Sequence, residues 1–88
     1  MESKRWSVEI DITEEGAETT ARATLTGGGA HLAGIGQARR HPADPPMAEI
    51  GDELAVSRAL NDLAQKLAVI SRHDIERFVD THVPTWSW

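Results

Sequence analysis

The chain has 88 residues, 40% of them hydrophobic and 26% charged, with a net charge of −5 and no cysteine. That is one ordered α+β-sized domain, spanning 1–88, and its core must be thin. The lack of cysteine excludes a disulfide scaffold, a thiolate metal site and a thiol nucleophile; the acidic balance argues against autonomous binding of nucleic acid through phosphates.

Met1 to Trp6 holds no apolar run of the kind that opens a signal peptide, and no stretch approaches the roughly 20 apolar residues that span a bilayer. The expected location is cytoplasmic. Arg5 to Ile12 alternates, with Trp6, Val8, Ile10 and Ile12 on one face and Ser7, Glu9 and Asp11 on the other. Period two predicts a half-buried strand with Trp6 in the core. Glu14-Glu15-Gly16 is a turn. Ala17 to Thr26 alternates again, with Ala21, Ala23 and Leu25 on one side and Thr20, Arg22 and Thr24 on the other. After Gly27-Gly28-Gly29, Ala30 to Arg39 forms a third strand. Short links between consecutive strands imply an antiparallel meander.

The prolines of 41–46 make a stiff loop. Asp52 is a candidate N-cap for a helix running to Ile70, about 28 Å long, because Val56, Leu60, Leu63, Leu67 and Ile70 recur at +4, +3, +4, +3. Ser71 or Asp74 is expected to start a second, shorter helix that Pro84 ends. Small residues at Ala21, Ala23, Gly34, Gly36 and Ala38 oppose the large helical side chains, which places that sheet face inward. The fold class is therefore α+β: a three-stranded meander, a long helix and a short C-terminal helix.

Candidate chemistry is sparse. Gly34-Ile35-Gly36 lacks the third glycine and the strand-to-helix setting of a dinucleotide site, since Arg39 stands there. His31, His41, His73 and His82 show no zinc spacing. The acids at Glu14, Glu15 and Glu18, and at Glu49, Asp52 and Glu53, suit a turn and a helix start. No catalytic residue, metal ligand or cofactor is expected, and the chain is read as a non-enzyme. Arg22 and Arg39 share the outer sheet face, with Arg40 beside them. They form either a solvated surface or a small basic patch for phosphate or an acidic partner. Ile35 on that face, and Leu54 and Val69 off the main helical stripe, are apolar residues left outside the core and candidate dimer contacts. Trp86 and Trp88 are either a loose end or interface anchors.

The run Gly34-Ile35-Gly36-Gln37-Ala38-Arg39, then Pro42-Ala43-Asp44, Ile50-Gly51-Asp52-Glu53-Leu54 and Arg58-Ala59-Leu60-Asn61-Asp62-Leu63 resembles a family of small actinobacterial proteins with a domain of unknown function. The opening Trp-x-Val-x-Ile-x-Ile fits as well. The resemblance covers nearly the whole chain; the second hairpin, Gly27-Gly28-Gly29, departs from the family's pattern. It implies a fold akin to double-stranded-RNA-binding domains, a homodimer, and a link to hypoxic or dormant growth, with a shape likened to ribosome-hibernation factors. The expected function is thus a non-enzymatic, stress-associated dimeric protein acting near the ribosome or translation machinery. The alternative is a small acidic protein-binding module with no nucleic-acid contact.

Overall fold

The structure is a computed structural model and describes residues 1–41 and 47–81. Three strands, β1 (Ser7–Glu15), β2 (Glu18–Gly27) and β3 (Ala30–Arg39), form one antiparallel sheet in the order β1-β2-β3. One helix follows, α1 (Ala48–Thr81). The expected α+β class and meander are what the chain adopts.

The helix differs from the sequence reading at both its start and its length. Helix α1 runs unbroken through Ser71, where a second helix was expected to begin. Ser71-Arg72-His73-Asp74 holds no glycine or proline. Polar residues alone do not break a helix whose hydrogen bonds are already propagating. Asp52 is also not the cap. The helix starts at Ala48, one turn earlier, and the Ile50 amide donates to the Met47 carbonyl at 3.2 Å. The early start brings Gly51 against β2, where a Cβ would stand 3.1 Å from Thr19 Oγ1.

The small-residue sheet face is inward as expected, but the helix meets it mainly with small residues too, which corrects the expected small-against-large contact. Leu60 and Ile70 of the expected stripe stay exposed, because only Ala55 and Ala59 let the helix backbone come down onto the strands. Ala21, Ala23, Leu25 and Ala38 of the sheet meet Ala55, Ala59 and Leu63 of α1, all buried. Gly34 and Gly36 carry the closest approach. A Cβ on Gly34 would run into the Ala59 carbonyl oxygen and lie 2.5 Å from the Leu63 amide; one on Gly36 would strike the Ala55 carbonyl oxygen and the Ala59 amide. The helix backbone therefore rests on bare strand backbone.

That seat fixes how the rest of the sheet is used. Helix α1 lies over β3 and β2 and scarcely reaches β1. Leu67 is the last helical residue packed against the core. Residues 68–81 run on past the sheet for about 21 Å. The molecule is correspondingly long, 58 × 27 × 19 Å, with a radius of gyration of 17.8 Å. A compact chain of this length has a radius of about 12 Å.

Candidate interaction surface

Strand register decides which side chains share a face. Val8, Ile10 and Ile12 oppose Leu25, Ala23 and Ala21, so they project from the helix-bearing face of the sheet. They are not covered. Trp6, Val8, Ile10 and Ile12 are 37% to 49% exposed, and all of β1 is solvent-accessible. This corrects the expectation of a half-buried first strand with Trp6 in the core. The helix is seated over β3 and β2, and β1 lies about 9.6 Å from β3, beyond the helix's half-width of about 5 Å. It settles on the glycines and alanines and leaves the bulky strand open. Trp6 has one neighbour of note. Its ring lies across the second hairpin, where a Cβ on Gly27 would stand 2.8 Å from the ring. Gly28, at φ +61°, has room for that ring only because it lacks a side chain.

The two edges of the sheet are treated differently. Along β3, three side chains one helical turn apart reach over the rim. Arg58 donates to the Gln37 carbonyl at 2.6 Å, the Ile35 amide donates to the Asp62 carboxylate at 2.9 Å, and Lys66 donates to the Ala33 carbonyl at 2.8 Å. Lys66 also pairs with Asp62 at 3.0 Å. The Ile35 amide and the Lys66 ammonium together hold the Asp62 carboxyl below the usual carboxylate range. Outward groups of β3 are thus capped by the chain's own helix.

Strand β1 has no such cover. Because residues 33, 35 and 37 point away from β2, alternation through the register turns the amides and carbonyls of Val8, Ile10, Ile12 and Glu14 to the free edge. Among the described residues nothing pairs with them.

The residues singled out from sequence are dispersed. Arg22 and Arg39 do lie exposed on the outer face, but Arg22 stands opposite Asp11 and Arg39 opposite Glu18. Glu9 and Glu15 share that face. Arg40 and Arg39 line a cleft of about 460 Å³ at the start of α1, with Glu14, Met47 and Leu54. Ile35 is on the outer face, Leu54 in the cleft and Val69 on the overhanging helix, each about half exposed. The structure does not bring these three together. Trp86 and Trp88 lie outside the described residues. The row Trp6-Val8-Ile10-Ile12 was missed as a surface; its signal was bulk on β1 against glycine and alanine on β2 and β3.

Among the described residues, no three His, Asp or Glu side chains gather as a metal site, and no helix is long and apolar enough to cross a membrane.

Comparison with known proteins gives a consistent result. The model of the family described as Rv2632c-like matches residues 4–85. The uncharacterized protein Rv2632c of Mycobacterium tuberculosis H37Rv is 44% identical over 81 residues, covering 92% of this chain and 85% of that one. The uncharacterized protein Mb1767 of Mycobacterium bovis is 46% identical over 81 residues, covering 92% and 84%. The crystal structure of Rv2632c superposes with a TM-score of 0.82 at 43% identity, covering 96% of this chain and 98% of that one.

Proposed function

The chain belongs to the Rv2632c-like family, and we propose that it acts as a homodimeric, non-enzymatic interaction protein of stressed or dormant cells, working in the cytoplasm. The observation that carries the dimer is the open apolar row of β1. A small monomer rarely leaves a contiguous apolar patch beside an unpaired strand edge, because both invite association. The overhanging end of α1 adds Val69 and Ile70 to the apolar surface left in water. The stress association and the place near the ribosome are supported by the sequence resemblance alone, and the likeness to double-stranded-RNA-binding domains by the βββα order.

The outer sheet face favours a protein partner over RNA. Its charged residues are Glu9, Asp11, Glu15 and Glu18 against Arg22 and Arg39, so phosphates would meet a net negative surface. The experiment is capture of the tagged protein from stressed cells, with and without nuclease. Ribosomal proteins retained only with intact RNA support the translation reading. A protein partner retained after nuclease supports the acidic-module alternative.

A further inference from the structure

We infer that two copies join through the free edges of β1, antiparallel and staggered, with Val8 opposite the partner's Val8; this rests on the dimer reading and specifies its surface. Three observations lead there. The β3 edge is occupied by Arg58, Asp62 and Lys66, so strand addition has one open side. On β1 the free-edge groups belong to even-numbered residues, so paired residue numbers in a two-fold pair must sum to a constant even value. The outer row of β1 then selects among those values by charge.

Within β1 that row reads Ser7, Glu9, Asp11, Thr13, Glu15, and the same parity carried back through the segment before the strand adds Arg5. The registers that overlap more of β1 pair Glu9 with the partner's Glu9, Glu9 with Asp11, Asp11 with Asp11, or Glu9 with Glu15, and each sets acid against acid. Like charges directly opposite destabilise a strand pair. Centring on Val8 is the longest overlap free of that conflict once residues 4–6 continue β1 (Ser7–Glu15) toward the partner, as the pairing requires. It sets Arg5 against the partner's Asp11 twice and Ser7 against Glu9 twice. On the helix-bearing face the same register sets Trp6 against the partner's Ile10, and the two open apolar rows become one. Strand β1 thereby gains on both counts: its edge groups find partners and its exposed row finds apolar neighbours.

The absence of cysteine permits a clean test. Spin labels are placed singly at Ser7→Cys and Glu15→Cys, both on the exposed outer row. At 3.3 Å per residue the staggered pair puts the Ser7 labels about 7 Å apart along the strands and the Glu15 labels about 46 Å apart. Strong dipolar broadening at Ser7 with a long distance at Glu15 is the expected result. Equal distances near 26 Å at both sites mean a pair centred on Asp11 and overturn the register. A dimeric mass with no such pattern overturns the edge while the dimer stands. A monomeric mass overturns both. Arg5→Glu is expected to weaken the dimer about tenfold, and Arg5→Glu with Asp11→Arg to recover much of it; no change in either rules out the charge-set register.

Discussion

The amide of Ile35, on the outer rim of β3, donates to the carboxylate of Asp62 on the helix at 2.9 Å. With Arg58 and Lys66 on either side, this contact closes one edge of the sheet using side chains 27 or so residues further along the chain. It also gives the fold a pH response. The folded Asp62 carboxyl titrates below its unfolded value of about 3.9. A lowered folded pKa contributes stability that is present above the unfolded value and lost as pH falls through the folded one. Denaturant melts of wild type should therefore weaken between pH 5 and the acid limit, and Asp62→Asn should flatten that fall. An unchanged acid limb in the variant would deny Asp62 this role.

Opening the same rim has a second expected outcome. Asp62→Ala leaves the Ile35 amide unpaired at a strand edge. Uncapped edges recruit other strands. Light scattering should show concentration-dependent species larger than those of wild type. Identical scattering would mean that Arg58 and Lys66 suffice to block β3.

The glycines under α1 give a graded series. Gly36→Ala and Gly34→Ala drive a methyl into helix backbone, which cannot rotate away, and each should cost about 3 kcal/mol or more. Gly51→Ala meets only the Thr19 side chain, which can shift by a few tenths of an ångström. Alanine also gains about 1 kcal/mol over glycine inside a helix. Its net effect should be near zero. Thermal melts that rank Gly51→Ala with the other two would contradict this seating of the helix.

Much of this fold was legible in the sequence. Two alternating hairpins gave the meander, and the 3.6-residue stripe from Val56 to Ile70 gave the helix. Glycine and alanine on β2 and β3 gave the inner face. What stayed hidden depended on distance across the sheet. Alternation places Val8 and Ile10 on the same face as Ala21 and Ala23, but it carries no information on how far one helix reaches. The β3 rim was hidden for a related reason: Arg58, Asp62 and Lys66 read as a polar helix flank until the helix is set beside the strand. The arginines were legible as a face, yet their opposition to Asp11 and Glu18 needed the register.

RNA is expected to bind weakly. Arg22→Ala with Arg39→Ala should flatten the already steep loss of binding with salt by about one unit of slope per contact, without changing sequence preference. Tight binding to structured RNA at physiological salt, untouched by the double variant, would place an RNA site elsewhere on the molecule.

The open row of β1 is the most direct point of attack. Ile10→Lys places a charge on a side chain already more than a third exposed, so the folded monomer should lose little stability. Sedimentation equilibrium at micromolar concentration should give the wild-type chain twice its mass of 9.6 kDa, about 19 kDa, and the variant close to 9.6 kDa with an unchanged circular dichroism spectrum. A wild-type chain that sediments at 9.6 kDa, or a variant that stays dimeric, would contradict association through β1.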